Sequence, residues 1–163
     1  MTARIAIDVA TLQVSDGTRL AYRRLGQKTG CKVALVHSLA LDSGFWRPVA
    51  QLLAAQGCDV LTYDCRGHGQ SEGREGFTVE LFAQDLRALF DHIGWRTALV
   101  AGASMGGCVS LAFAAMFPNR ISALGHVDTT AWYGPDAPAQ WEERAQRALE
   151  NGLTDLIPFQ KSR

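Results

Sequence analysis

Continuous apolar runs alternate along this sequence with segments whose apolar residues recur every three or four positions. The run at residues 32–38 is bounded by turn residues, as is typical of a strand buried on both faces. Residues 45–57 have helical spacing and end at a glycine, and residues 58–64 again have a strand-like pattern. Before them, two short alternating runs flank Asp16 and Gly17, which predicts a β-hairpin.

The second half of the chain continues the alternation. It predicts, in order, a helix at residues 78–94, a strand at 97–102, a helix at 104–118 and a strand at 121–128. After the hairpin, strand and helix thus alternate four times, which predicts an α/β fold with a mostly parallel sheet and helices on both faces. A Pro-rich segment near residue 134 then leads into a charged amphipathic helix, where we expect a different architecture to begin.

Composition and charge fit a soluble globular domain of ordinary size. The chain has 163 residues, of which 47% are hydrophobic and 20% are charged. Basic and acidic residues number 16 each, and the absence of a net charge or a basic cluster argues against a nucleic-acid partner. No apolar run approaches the roughly 20 residues of a membrane span, which argues against a membrane partner. The N-terminal sequence lacks the continuous apolar core of a signal peptide.

The four cysteines are Cys31, Cys58, Cys65 and Cys108. They form no CxxC pair and lie at no zinc-binding spacing from a histidine. Three of them flank predicted strands or lie in a predicted helix, where a free thiol behaves as a small apolar residue. We therefore expect structural thiols in a reducing compartment, which favours a cytoplasmic location.

One serine, Ser104, lies in a Gly-x-Ser-x-Gly motif between a predicted strand and a predicted helix. Such a sharp reversal forces the serine into a strained backbone conformation, and Gly102, Gly106 and Gly107 remove Cβ atoms that would clash there. The hydroxyl is then held at the carboxyl end of the sheet, next to a helix N-terminus that favours negative charge. The motif predicts a nucleophile, and the alternative is a glycine-rich turn that only packs tightly.

A carbonyl that Ser104 attacks becomes an oxyanion, which needs two backbone donors. We expect one to be the N–H of Met105, directly after the nucleophile, and the other to be the N–H of Leu39, in the loop after an earlier central strand. His37 precedes the serine in the chain and opens that loop. We interpret it as a residue that hydrogen-bonds its neighbours and supports the turn, in preference to a general base.

Three motifs, at residues 37–46, 63–71 and 102–107, resemble in sequence and order those of the α/β-hydrolase fold. The chain most resembles the serine esterases and lactonases that include 3-oxoadipate enol-lactonase and the cofactor-free haloperoxidase-like enzymes. This resemblance implies a Ser-His-acid triad and acyl transfer to water in two steps, with no metal and no cofactor. A peroxide-dependent activity of the same triad is a third, weaker interpretation. One departure is Ser38, which stands where the family usually has a glycine.

The resemblance also implies a domain organisation and structural roles. Residues 1–134 would form the N-terminal part of the hydrolase core, and residues 135–163 would begin a helical cap. Asp64, Arg66 and His68 look like a catalytic cluster, but the resemblance implies a structural turn. We expect Asp64 and Arg66 to satisfy backbone groups and each other.

The expected histidine of the triad is missing, because its order in this fold is serine, acid, histidine. Only His126 follows Ser104, and it lies inside a predicted strand, where we expect it to pack or hydrogen-bond. Asp128, at the end of that strand, is a possible acid by fold analogy.

We therefore expect a C-terminal segment or second chain of about 100 residues to complete the fold and to supply the histidine. Without it, the last predicted strand would be a bare sheet edge. The resulting enzyme would cleave a small-molecule ester or lactone. The alternative is a non-catalytic interaction module, or an inactive fragment, that keeps the sheet without the triad.

Overall fold

A computed structural model describes residues 9–73 and 76–156 of the chain. Its strands are β1 (Ala10–Gln13), β2 (Arg19–Gly26), β3 (Lys32–Val36), β4 (Asp59–Tyr63), β5 (Ala98–Ala103) and β6 (Ile121–Val127). Its α-helices are α1 (Arg47–Ala55), α2 (Val79–Ile93), α3 (Met105–Met116) and α4 (Ala137–Asn151). Short 3-10 helices lie at Ser43–Trp46, Pro118–Arg120 and Leu153–Leu156.

The six strands form one sheet in the order β1-β2-β4-β3-β5-β6. β2 is antiparallel to both of its neighbours, and the other pairs are parallel, with Val33 opposite Val60 on one side and Leu99 on the other. The mostly parallel sheet predicted from the sequence is therefore confirmed. From β3 the chain moves outward through α1 to β4 and returns through α2 to β5, on the other side of β3. The loops that follow β3 and β5 therefore meet at the carboxyl edge of the sheet, where open α/β folds bind ligands.

Helices cover both faces of the sheet, as predicted. β3 explains the continuous apolar pattern, because its successive side chains point to opposite faces and both faces are buried. On one face α1 packs over a buried cluster of Val33, Leu35, Trp46, Ala50, Cys58, Val60 and Ala103. On the other face α2 and α3 pack over a larger cluster that includes Ala34, Val36, Leu61, Tyr63, Leu86, Phe90, Val100, Val109 and Phe113.

Local hydrogen bonds end the elements where the sequence predicts. In the hairpin, the carboxylate of Asp16 accepts a hydrogen bond from the Thr18 N–H at 2.9 Å. At the start of α2, the Thr78 hydroxyl accepts one from the Leu81 N–H at 3.1 Å, which is an ordinary N-cap. At its end, Gly94 adopts φ +74°, a left-handed conformation that glycine enters without strain.

β6 lies at the edge of the sheet, beside β5. Leu124 is 41% exposed and Val127 is 49% exposed, so apolar side chains of this strand face solvent.

The chain divides into two compact units, Met1–Thr130 and Ala131–Arg163, the second of which contains α4. Among the described helices, none combines the length and the apolar character needed to traverse a lipid bilayer.

Candidate active site

Ser104 occupies the sharp turn between β5 and α3. Its backbone has φ +49° and ψ −114°, and the residue is only partly buried. The strand beside it holds this turn, because the Ser104 N–H donates to the carbonyl of Val127 at 3.0 Å. The Thr129 hydroxyl donates to the Ser104 carbonyl at 2.9 Å. A non-glycine residue in this backbone region is strained by about 1–3 kcal/mol, and it persists only when its surroundings fix it.

The glycines of the motif allow three main-chain segments to approach closely. A Cβ atom on Gly102 would lie 2.0 Å from the carbonyl oxygen of Gly106, and one on Gly106 would lie 2.2 Å from the carbonyl oxygen of Val36. A Cβ atom on Gly107 would lie 2.3 Å from the side chain of Thr129. The first turn of α3 is therefore pressed against β5 and against the end of β3. This contact brings the turn that holds Ser104 next to the start of the loop predicted to donate to an oxyanion.

Gly106→Ala is expected to lower the free energy of unfolding by about 2–3 kcal/mol, because the new methyl group overlaps main-chain atoms that no rotamer change can move. Urea denaturation measures this loss. Gly94→Ala is the matched control, because that position combines φ +74° with open space and so carries only the left-handed strain, about 1 kcal/mol. Equal losses in the two variants would contradict the importance of the close approach.

Leu39 and Met105 carry the two N–H groups predicted to face the oxyanion. Leu39 lies in the loop after β3, in a turn closed by a 3.3 Å hydrogen bond from the Leu41 N–H to the Ser38 carbonyl. Met105 is the first residue of α3, where backbone N–H groups have no partner inside the helix. Within the described part of the chain, neither N–H donates to a protein acceptor, so both remain available to a ligand.

His37 opens this loop and is fully buried. Its Nε2 accepts a hydrogen bond from the Cys65 N–H at 2.9 Å, so the ring proton lies on Nδ1, which donates to the Ser38 carbonyl at 2.8 Å. Burial lowers the pKa of His37 below its usual value, which keeps the ring neutral. With both nitrogens engaged, the histidine fixes the start of the loop and does not act as a base for Ser104.

Trp46 and Ser43 also fix this loop through hydrogen bonds. The indole N–H of Trp46 donates to the Val36 carbonyl at 2.9 Å. The N–H of Ser43 donates to the carboxylate of Asp64 at 2.8 Å, and the N–H of Gln70 donates to the same group at 2.9 Å. Burial alone would raise the pKa of Asp64, but these hydrogen bonds and the nearby charge of Arg23 outweigh it and hold that pKa below its usual value.

Arg66 does not pair with Asp64, and that expectation is wrong. Its guanidinium forms two hydrogen bonds to the carboxylate of Asp85, at 2.6 and 2.8 Å, and a further ion pair with Asp16. The reason is that α2 places Asp85 beneath the loop, while Asp64 points towards the segment that follows β3. The cluster therefore has the structural role that the resemblance implied, with different partners. His68 belongs to the same loop and bonds the Arg66 carbonyl through Nδ1 at 2.9 Å.

The other two histidines lie elsewhere. His92 is exposed near the end of α2, with its Nε2 3.1 Å from the Tyr22 hydroxyl. His126 lies in β6 opposite Gly102, and its side chain is exposed, so the expectation that it packs within the strand is wrong. β6 is an edge strand, and most of its residues are exposed. Asp128 follows the end of β6 and is exposed, with φ +48°.

The described residues contain no candidate metal site. There, no three His, Cys, Asp or Glu side chains converge into a group that could hold an ion.

The chain is similar in sequence and in fold to proteins of one known family. A family model for the alpha/beta hydrolase fold matches residues 33–155. A 3-oxoadipate enol-lactonase from Acinetobacter baylyi is 30% identical over 142 residues, which cover 87% of this chain and 52% of that protein. The chain spans about half the length of the curated relatives it matches.

Solved structures agree with the sequence matches. The enol-lactonase from Burkholderia xenovorans LB400 has a TM-score of 0.82 and 34% identity, covering 90% of this chain and 56% of its own. A thermophilic esterase from Thermogutta terrifontis has a TM-score of 0.79 and 31% identity, covering 89% of this chain and 54% of its own. The resemblance predicted from the three motifs is therefore confirmed, and the chain belongs to the α/β-hydrolase fold family.

Proposed function

We propose that this polypeptide supplies the nucleophile and the oxyanion hole of a serine hydrolase that cleaves a carboxylic ester or lactone. The observation that carries the proposal is the backbone of Ser104, which is held at φ +49° in a partly exposed residue at the carboxyl edge of the sheet. Strain of this kind persists where function requires it. The relatives named esterase and enol-lactonase favour a carboxylic ester or lactone as the substrate.

The reaction proceeds in two steps. The Ser104 hydroxyl attacks the carbonyl carbon while its proton passes to a base, and the N–H groups of Leu39 and Met105 stabilise the oxyanion. The alcohol leaves with that proton, and an acyl group remains on the serine. Water then gives a proton to the same base and attacks the acyl group. The bond to the Ser104 oxygen breaks, the carboxylic acid leaves, and the base returns the proton to the serine.

The base comes from polypeptide outside this sequence. The sequence has four histidines, and His37, His68 and His92 are held by the contacts described above, while His126 lies inside a strand. We propose that a C-terminal segment or a second chain pairs with the open edge of β6 and brings the histidine to Ser104. The acid comes from the same polypeptide or from Asp128.

A fluorophosphonate probe, which bonds covalently to activated serine hydroxyls, tests this proposal. An affinity-tagged copy is expressed from its own locus, purified with the polypeptide that completes it, and treated with the probe. Peptide mass spectrometry is expected to find the adduct on Ser104. Ser15→Ala, which removes an exposed serine of the β1–β2 hairpin turn, is the matched control and is expected to leave the adduct unchanged. An unmodified Ser104 with the completing polypeptide present, as judged by intact mass, would contradict the proposal.

A second candidate is a non-catalytic interaction module. It is favoured by one observation, that no histidine of this sequence lies in the loop position a triad base requires. Native mass spectrometry separates the two functions. A stable 163-residue species that purifies alone and resists the probe indicates the module, whereas a complex that reacts at Ser104 indicates the hydrolase.

A further inference from the structure

Two cysteines that take no part in the candidate active site lie against each other. The Sγ atoms of Cys31 and Cys58 are 2.7 Å apart, although the residues are 27 positions apart in the sequence. They directly precede Lys32 and Asp59, which are paired in the parallel register of β3 and β4. The two cysteines therefore lie side by side at the starts of adjacent strands, and the strand spacing of about 4.8 Å falls within the Cα separations that a disulfide bridges.

Backbone contacts around the pair hold the two segments of the chain close together. The Asp59 N–H donates to the Cys31 carbonyl at 2.8 Å, and the Gln27 N–H donates to the Cys58 carbonyl at 3.2 Å. A Cβ atom on Gly30 would lie 1.8 Å from the carbonyl oxygen of Gly57, so only glycine fits at that contact. A bond between the two sulfurs therefore needs small side-chain rotations and no rearrangement of the strands.

The two thiols differ in access to solvent. Cys31 is exposed and Cys58 is buried, and the hydrogen bond between the two thiols raises the pKa of Cys58. An exposed thiol can meet a small disulfide in solution, and a buried neighbour can then resolve the product. Cys65 offers a contrast, because complete burial raises its pKa to about 12 and makes it inert.

We propose that Cys31 and Cys58 are a reversible disulfide site that reacts with a small-molecule disulfide such as glutathione disulfide. The Cys31 thiolate attacks one sulfur of glutathione disulfide, whose S–S bond breaks, and the released glutathione thiolate takes up a proton. Cys58 then loses its proton and attacks the Cys31 sulfur, which forms the protein disulfide and releases a second glutathione. Two protein thiols are oxidised, and one glutathione disulfide is reduced to two glutathione molecules.

The site lies at the amino ends of β3 and β4, whereas Ser104 lies at the carboxyl end of β5. Its oxidation is therefore separate from the reactivity of the serine, and the proposal stands apart from the proposed function. A crosslink between residues 27 positions apart restricts the unfolded chain. We expect it to raise the melting temperature by roughly 5–10 °C.

The test incubates the purified protein with glutathione buffers from fully reduced to fully oxidised. Free thiols are then blocked with N-ethylmaleimide, and the digest is analysed by mass spectrometry. We expect a peptide pair joined through Cys31 and Cys58 in the oxidised samples, with the higher melting temperature, and its reversal by reduced glutathione. Cys31→Ser changes an exposed residue and is expected to lose both effects, while Cys108→Ser is the matched control that keeps them.

Two results would overturn the proposal. One is complete blocking of Cys31 and Cys58 by N-ethylmaleimide in the fully oxidised buffer. The other is a reaction that stops at a glutathione adduct on Cys31, which would show that Cys58 does not resolve it. Both readouts use the reduced and oxidised forms of the same protein, so neither depends on the folding of a Cys58 variant.

Discussion

If the proposed function holds, replacing Ser104 by alanine is expected to lower kcat/KM for ester hydrolysis by about 10⁴-fold or more, because the proposed nucleophile is removed. Alanine retains the Cβ atom and therefore the strained backbone, so the free energy of unfolding should change by less than about 0.5 kcal/mol. Steady-state kinetics on a chromogenic ester and urea denaturation measure the two effects. Ser15→Ala, in the exposed hairpin turn, is the control, with unchanged kinetics. Retained hydrolysis in Ser104→Ala would show that another group performs the attack.

A second substitution at the same position tests whether the strain is real. Ser104→Gly removes the Cβ atom at φ +49° and is expected to raise the free energy of unfolding by about 1 kcal/mol, while activity is lost as in Ser104→Ala. A glycine variant that is no more stable than the alanine variant would mean that the turn stores no strain. A gain in stability would show that the fold gives up stability to present this hydroxyl.

Arg66→Ala is expected to lower the free energy of unfolding by about 3–5 kcal/mol at neutral pH. Arg66 is 6% exposed and Asp85 is 3% exposed, so removal of the arginine leaves a carboxylate buried without its bidentate partner. Asp16 loses its partner in the same variant. Urea denaturation measures the loss. Arg19→Ala is the control, because Arg19 pairs with Glu72 in solvent and such pairs contribute less than about 1 kcal/mol.

The pH dependence of this variant follows from the two carboxyl groups. Burial raises the pKa of Asp85 and Arg66 counteracts it, so without Arg66 the buried carboxylate is most costly at neutral pH and is relieved as falling pH protonates it. In the wild type, hydrogen bonding to Arg66 lowers the pKa of Asp16 to about 2, and the stability this provides is lost between about pH 4 and pH 2. The difference between variant and wild type should therefore shrink as the pH falls. A constant difference would contradict the burial of an unpaired charge.

Much of the fold could be predicted from local patterns. The continuous apolar run of β3 indicated a strand buried on both faces, and Thr78 and Gly94 marked the ends of α2. The position of Ser104 between a strand and a helix indicated the sharp turn, because that motif has a geometric requirement that the sequence itself displays. These features depend on residues that are near one another in the chain.

The partners of charged and polar side chains could not be predicted in this way. Arg66 was expected to pair with Asp64, but α2 and the hairpin bring Asp85 and Asp16 to it from 19 and 50 residues away. The approach of Cys31 to Cys58 depends on the register of β3 against β4, which no local pattern encodes. Such contacts follow from the strand order, so they require the assembled sheet.

The hydrogen bonding of His37 has a consequence for the kinetics of the completed enzyme. The ring is uncharged with its proton on Nδ1, and burial lowers its pKa, so it stays neutral to a lower pH than an exposed histidine does. The loop that holds Leu39 therefore keeps these hydrogen bonds in the pH range where an ordinary histidine ionises. In the proposed enzyme, a loss of rate in that range is then expected to follow the general base rather than His37.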